Sequence, residues 1–325
     1  MRMSGSRVPS GRGAPRPPLA PPLARFDLDR DYLSRAGGVE GLLADPAARL
    51  VVLHDGRALG ASRDALALVP AARVGEVDPD AVVFLGRARS DAPDLAAGAP
   101  VLALDAGDEL AATLDGEWLE LRGVGARLGA RDAGIFAQAL ALANWHAASG
   151  FSPGTGTVTR VGQSGWVRID PDTGREHYPR TDPAVIVAVL DDEDRILLGS
   201  NVEWGAGRFS LLAGFVEPGE SLEAAVVREI FEEAGVVVAD PVYLGSQPWP
   251  FPASLMLGFE ARIAAGTPSE PTPDGTELRE LRWFTREQLA ADAEAGRVTL
   301  PRSASIARAI IEDWYGGALP DGAEG

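Results

Sequence analysis

The sequence predicts an α+β protein of two domains, because strand-like runs occur in both halves and a helical pattern separates them. Its 325 residues, 46% of them hydrophobic, suffice for two cores of ordinary size. In the first half, the runs Leu50–Leu53 and Ala81–Leu85 stop at turn residues, as strands do. Between Asp132 and Ala148 the apolar residues instead recur at helical spacing. We therefore expect a helix that joins the two halves.

These patterns divide the chain into four segments. Residues 1–25 are rich in proline and arginine, and we predict that they form a disordered tail. Residues 26–128 are predicted to form a small α+β domain. Residues 129–180 are predicted to contain the joining helix and a turn-dominated module, and residues 181–318 to form the second domain.

The second domain has the clearest local patterns. The strand-like runs 184–190 and 196–198 are separated by an acidic turn, which predicts a β-hairpin. Helices are predicted near residues 222–234 and 303–314, with further strands between them.

The composition excludes several classes of protein. No apolar run approaches the length of about 18 residues that a membrane span needs, and no secretory signal is present, so we expect a cytoplasmic protein without membrane contact. The absence of cysteine removes disulfides, thiol nucleophiles and cysteine-bound zinc. The absence of lysine removes a P-loop lysine and a Schiff base. A net charge of −17 argues against binding to duplex DNA.

Three carboxylates in the helix predicted near 222–234 point to metal chemistry. On a helix, Glu229, Glu232 and Glu233 project from one face, where their mutual repulsion is unfavourable without a cation. Oxygen ligands of this kind suit Mg²⁺ or Mn²⁺, which also bind the phosphates of a substrate. We therefore interpret the helix as a platform for divalent metal ions.

The residues around this helix form a loop that is tied to it. Gly214 and Gly219 permit a tight turn before the helix, and Gly235 is placed to end it. Arg228 is predicted to pair with Glu220 and to fix the loop to the helix. A solvated acidic helix face would not explain why all these residues fall at these spacings.

Together these residues resemble the Nudix box, G-x5-E-x7-R-E-U-x-E-E-x-G-U, in which U is apolar. All nine specified positions are met, by Gly214, Glu220, Arg228, Glu229, Ile230, Glu232, Glu233, Gly235 and Val236. The resemblance implies an α/β/α sandwich with a mixed sheet. It also implies hydrolysis of a nucleoside diphosphate derivative, with the catalytic set Glu220, Arg228, Glu229, Glu232 and Glu233.

A second motif narrows the substrate. The segment SQPWPFPASLM, residues 246–256, resembles the signature of NADH pyrophosphatases, the NudC-type branch of the Nudix family. Its rigid prolines are suited to present Gln247 and Trp249 to a nucleotide. The resemblance implies a homodimer that cleaves NADH or NAD⁺ into nicotinamide mononucleotide and AMP, and it allows removal of NAD caps from RNA 5′ ends.

Four more positions match the same branch outside the two motifs. The resemblance implies that Tyr178 and Phe215 contact the nucleotide and that Ala307 lines its pocket. It also implies that Glu277 is an additional metal ligand. Glu280 competes with Glu277 for that role, and the spacing leaves the choice open.

The chain departs from its relatives in the module before the second domain. Relatives carry a four-cysteine zinc ribbon there, whereas the same spacing in this chain falls on Ser152, Thr155, Asp170 and Thr173. These side chains are poor replacements for thiolates. We therefore expect a degenerate zinc-ribbon-like module without structural zinc.

Two alternatives remain open from the sequence. The chain could hydrolyse ADP-ribose or another nucleoside diphosphate derivative, against which the motif at 246–256 argues. It could instead be a non-catalytic nucleotide sensor, but such a protein would be expected to lose the carboxylates of the box, and all of them are present.

Overall fold

The computed structural model describes residues 17–320, which form an N-terminal domain, a small three-stranded module and a C-terminal domain. None of the helices in this range is long and apolar enough to span a bilayer.

The N-terminal domain is built on an eight-stranded mixed sheet. Its strands are β1 (Leu28–Asp29), β2 (Arg49–His54), β3 (Arg57–Ser62), β4 (Ala65–Leu66), β5 (Leu68–Pro70), β6 (Val82–Ala88), β7 (Pro100–Asp105) and β8 (Glu117–Leu119). They lie in the order β1-β6-β7-β2-β3-β4, with β5 paired to β2 and β8 to β3, and only β2 and β7 run parallel. Its helices are α1 (Glu40–Leu43), α2 (Asp108–Ala111), α3 (Leu121–Val124) and α4 (Ala130–Ala148).

Helix α4 is part of the N-terminal core. Its residues Phe136 and Leu140 pack with Val51 and Val83 of the sheet in one buried cluster. The sequence predicted this helix but placed it outside the domain, as a connection. That assignment was wrong because helical spacing shows which side of a helix is apolar, and not which surface covers that side.

Residues 17–25 are ordered, contrary to the predicted disordered tail. Residues 22–24 form a 3₁₀ turn, and Leu23 is buried against the N-terminal core. The backbone N–H of Leu19 donates to the carbonyl of Leu244 at 2.6 Å and so extends the edge of the C-terminal sheet. The remainder of the predicted tail, residues 1–16, lies outside the described residues.

The three-stranded module follows α4 in the chain. It consists of β9 (Arg160–Gly162), β10 (Val167–Ile169) and β11 (Glu176–His177), paired antiparallel in the order β11-β10-β9.

The C-terminal domain is an α/β/α sandwich around a six-stranded mixed sheet. Its strands are β12 (Asp182–Leu190), β13 (Ile196–Asn201), β14 (Leu212–Phe215), β15 (Val238–Trp249), β16 (Ser254–Ile263) and β17 (Leu278–Phe284). Their order is β15-β16-β12-β13-β17, with β14 also paired to β12, and β12 and β16 run parallel. The helices are α5 (Leu222–Ala234), α6 (Arg286–Glu294) and α7 (Ile306–Tyr315).

The central strand β12 contacts a helical layer on each face. Val185 and Val187 pack in the cluster that contains residues of α5, whereas Ile186 and Ala188 pack in the cluster that contains residues of α7. Neighbouring side chains of a strand point to opposite faces, so a strand covered on both sides needs an uninterrupted apolar run. The predicted hairpin of β12 and β13 and the predicted sandwich are thus confirmed.

Candidate active site

Helix α5 carries the predicted carboxylates and has defined ends. Ser221 caps its start by accepting the backbone N–H of Ala224 at 3.2 Å. Gly235 ends it in the left-handed conformation, with φ of 68°, and donates its N–H to the carbonyl of Phe231. The apolar residues of α5 pack on the sheet, which fixes the carboxylates relative to strand β14.

Arg228 ties the loop before α5 to the helix. Its guanidinium donates two hydrogen bonds of 2.8 Å to the carboxylate of Glu220, as the sequence predicted. It also lies 2.9 Å from one oxygen each of Glu229 and Glu232 and donates to the carbonyl of Phe215. The bonds from Arg228 lower the pKa of Glu220 to about 2, so this carboxylate stays ionised at neutral pH.

Gly214 lets the carboxylate of Glu229 lie against strand β14. A Cβ atom at position 214 would be only 2.0 Å from the Cδ atom of Glu229. Any side chain there would displace Glu229, which explains the need for glycine at this position of the box.

Glu233 is the most buried carboxylate of the site. Its Oε2 atom has no hydrogen-bond partner among the described residues. Burial raises the pKa of Glu233 to about 8, and the charges of Glu229, Glu277 and Asp274 add to the effect. Burial also raises the pKa of Glu229, even though Arg228 acts in the opposite direction. Glu233 therefore lacks the positive charge that would stabilise its ionised form, and for Glu229 the ion pair with Arg228 offsets burial only in part.

Glu277 joins this cluster from the position directly before β17. Its charge contributes to the raised pKa of both Glu229 and Glu233. Glu280 is three residues further along the chain, paired in register with Ser200 of β13. The structure therefore brings Glu277 to the carboxylate cluster and favours it over Glu280.

Asp274 holds the turn that carries Glu277 and was missed in the sequence. Its carboxylate accepts the backbone N–H groups of Thr276, Glu277 and Leu278 at 3.1, 3.0 and 2.8 Å. The Asp-Gly pair at 274–275 is a turn signal, and it was the only indication available from the sequence.

These carboxylates fit a divalent cation in chemistry, but they do not converge in this arrangement. Within residues 17–320, no three acidic or histidine side chains are placed to hold a metal ion together. The unpaired Oε2 of Glu233 and the like charges of Glu229 and Glu277 are what a cation would satisfy. Binding would draw these three groups together, while Glu232, which is 57% exposed and held by Arg228, lies at the edge.

Two of the predicted nucleotide-contacting rings are exposed. Phe215 is 57% exposed directly after Gly214, and Tyr178 is 63% exposed just before β12. The hydroxyl of Tyr178 hydrogen-bonds Glu176. No ring contact joins Phe215 and Tyr178 in the part of the chain that the structure describes.

Three side chains that were predicted to contact the nucleotide instead pack against other parts of the protein. Gln247 is fully buried, and its Oε1 accepts the backbone N–H of Leu23 at 3.3 Å. Trp249 packs against Phe251 and the N-terminal core. Ala307 is buried on the side of α7 that faces the sheet. Gln247 and Ala307 are therefore closed to a nucleotide in this arrangement, whereas Trp249 remains partly exposed.

The motif at 246–256 instead forms a joint between the domains. The side-chain amide of Asn144 in α4 donates to the carbonyls of Pro250 and Pro252 at 3.0 and 3.3 Å. The guanidinium of Arg122 lies 4.1 Å from the ring centroid of Phe251. The sequence located the motif, but its packing partners lie more than 100 residues away and could not be identified.

Asp170 holds together the positions that would bind zinc in relatives. It is buried, accepts a hydrogen bond of 2.7 Å from Thr155, and accepts the backbone N–H groups of Asp172 and Thr173. Hydrogen bonds from Ser152 and Thr155 hold the pKa of Asp170 well below its usual range. One carboxylate with three hydroxyls does not fit structural zinc, which prefers thiolate and imidazole ligands.

Both domains of the chain match known protein families. The NUDIX domain family matches residues 180–302, and the NADH pyrophosphatase-like rudimentary NUDIX domain family matches residues 47–145. A protein of Mycobacterium bovis named NAD-capped RNA hydrolase NudC is 40% identical over 314 residues, which cover 90% of this chain and 94% of that protein. The protein of the same name from Mycobacterium tuberculosis gives the same figures.

A human relative matches a shorter region. The human NAD-capped RNA hydrolase NUDT12 is 38% identical over 196 residues, which cover 57% of this chain and 42% of the human protein. The mycobacterial matches, by contrast, extend over both domains and nearly the whole of each relative. From these matches and the complete box around Arg228, the chain belongs to the NUDIX hydrolase family, in the group of the NudC proteins.

Proposed function

We propose that the chain hydrolyses the pyrophosphate of NADH and NAD⁺ to nicotinamide mononucleotide and AMP, and removes NAD caps from RNA 5′ ends. The observation that carries this proposal is the cluster of Glu229, Glu233 and Glu277, with the exposed Phe215 directly after Gly214 in the chain. It occurs in a chain that matches NAD-capped RNA hydrolases over 94% of their length.

The residues of the site have distinct roles in this proposal. Mg²⁺ or Mn²⁺ held by Glu229, Glu233 and Glu277, with Glu232 as a further ligand, would neutralise the pyrophosphate and lower the pKa of a bound water. Arg228 and Glu220 keep Glu229 and the preceding loop in place. The carboxylate of Glu233 would lie beside the cation and accept the proton of the attacking water. Phe215 offers a surface on which a nucleotide ring can stack.

The exposed Tyr178 and Phe215 also suit a homodimer. Each side chain is more than half exposed, although large aromatic side chains usually gain from burial. We propose that a second copy of the chain covers this region and completes the nucleotide site, and that the protein acts in the cytoplasm.

The test is hydrolysis by the purified chain with Mg²⁺ or Mn²⁺, with products separated by chromatography. We expect AMP and nicotinamide mononucleotide from NADH, and a loss of kcat of at least about 100-fold in Glu233→Gln. The control is Arg73→Gln, an exposed position in the N-terminal domain. Normal turnover in Glu233→Gln would reject the assignment of this residue.

The same assay separates the alternatives. If the chain cleaves ADP-ribose rapidly and cleaves neither NADH nor NAD⁺, the assignment of the hydrolytic site stands and the assignment of the substrate is wrong. Binding of nucleotides without cleavage of any of them would support the sensor.

A further inference from the structure

A cavity of about 390 Å³ lies where the three parts of the molecule meet. One wall is helix α4, which contributes Gln138 and Leu142, and another is Trp166 of the three-stranded module. Residues 179–181 before β12 and residues 253–255 at the start of β16 complete it. Its volume and its place between domains are typical of sites for small ligands.

The lining of this cavity is positively charged, whereas the chain as a whole is negatively charged. It includes Arg25, Arg30 and Arg180, and none of the described residues that line it is acidic. The whole chain has 47 acidic and 30 basic residues. Three aromatic side chains, Phe26, Trp166 and Trp249, belong to the same lining. Arginine beside aromatic rings is the combination with which proteins bind the phosphates and bases of single-stranded nucleic acid.

Of these arginines, Arg25 donates hydrogen bonds to backbone carbonyls, whereas Arg30 has no hydrogen-bond acceptor among the described residues. Its guanidinium lies 4.6 Å from the ring centroid of Phe26 and 5.9 Å from that of Trp166, and no described carboxylate forms an ion pair with it. Arg35 adds a second charge 3.6 Å from the ring centroid of Trp166. By contrast, Arg180 is ion-paired with Asp182. A phosphate near Arg30 would therefore supply a missing partner.

The cavity is close to the carboxylate site along the sheet. Ser254 lines the cavity and is paired with Asp182, while Phe215 is paired with Ala184 on the other side of the same strand. Asp182 and Ala184 are two residues apart along β12, and Ser254 and Phe215 lie one strand spacing from β12 on its two sides. The Cα atoms of Phe215 and Ser254 are therefore about 12 Å apart. This is a distance that the nucleotide next to a bound dinucleotide can reach.

We propose that the cavity binds the nucleotide that follows the NAD cap in an RNA substrate. Arg30 contacts its phosphate, and the aromatic wall receives its base. This inference rests on the proposed function, because it assigns the part of a capped RNA that a free dinucleotide lacks.

The first test is RNA binding in the absence of divalent metal, so that catalysis plays no part. Fluorescence anisotropy with an uncapped single-stranded RNA of about ten nucleotides compares the wild type, Arg30→Gln and the control Arg73→Gln. We expect Arg30→Gln to weaken binding at least about fivefold and to reduce the slope of log affinity against log salt by about 0.7, the value for one lost phosphate contact. Arg30→Lys should retain most of the binding.

The second test compares two substrates of the same enzyme. Arg30→Gln should lower kcat/KM for NAD-capped RNA at least about fivefold and leave kcat/KM for NADH within about twofold. An equal fall for both substrates, or no fall for either, overturns the proposal. If AMP displaces the RNA, binds as tightly as the RNA does, and loses affinity in Arg30→Gln, the cavity is a site for a free nucleotide and the RNA assignment is overturned. Arg30-dependent RNA binding in a protein that hydrolyses neither substrate would reject the proposed function and leave the cavity as an RNA site.

Discussion

At the residue scale, Gly214 controls the position of a carboxylate that belongs to another element. Because a Cβ atom there would be 2.0 Å from Cδ of Glu229, Gly214→Ala must move Glu229 away from β14. We expect kcat to fall at least about 100-fold while the thermal unfolding midpoint changes little. The control is Gly205→Ala, where a new Cβ meets no atom within 4 Å. Unchanged turnover in Gly214→Ala would show that the position of Glu229 is not critical.

Glu277, directly before β17, and Glu280, within it, give a second contrast between single residues. Glu277 raises the pKa of Glu229 and Glu233, and Asp274 fixes its backbone, whereas Glu280 is paired in register with Ser200. We expect Glu277→Gln and Asp274→Ala each to increase the Mn²⁺ concentration for half-maximal activity at least about tenfold. Glu280→Gln should not change it. The result that would contradict this assignment is a larger shift in Glu280→Gln than in Glu277→Gln.

At the scale of elements, the three-stranded module depends on an ionised carboxylate. The pKa of Asp170 is lower in the folded protein than its usual value of 3.8, so its contribution to stability is present above pH of about 4 and is lost as pH falls through the lowered pKa. We expect Asp170→Asn to lower the unfolding midpoint at pH 7 and to lose less stability than the wild type on acidification. Thermal scans between about pH 2 and 7 measure both effects. If the unfolding midpoints of the wild type and Asp170→Asn fall equally on acidification, the loss of stability at low pH is due to groups other than Asp170.

The elements that the sequence predicted well are those with a local signal. Helix α5 was correctly bounded because its cap residues and apolar spacing lie within the segment itself. Strand β12 was recognisable from its apolar run, and Arg228–Glu220 from spacing along the chain. The packing of α4, the burial of Gln247 and the order in residues 17–25 depend on contacts between distant segments, which no local pattern encodes.

At the scale of the whole molecule, the segment 17–25 connects the two domains. Leu23 is 1% exposed in the N-terminal core, while its backbone N–H binds Gln247 of the C-terminal domain. Leu23→Ala should therefore lower the free energy of unfolding by about 3 kcal/mol, the usual cost of such a cavity, and should weaken the coupling between the domains. We expect calorimetry to resolve two transitions in the variant where the wild type shows one. Leu33→Ala, at a position 73% exposed, is the control and should change stability by less than about 0.5 kcal/mol. A single transition with an unchanged midpoint in Leu23→Ala would mean that the domains are joined by the motif at 246–256 alone, through Asn144 and Arg122.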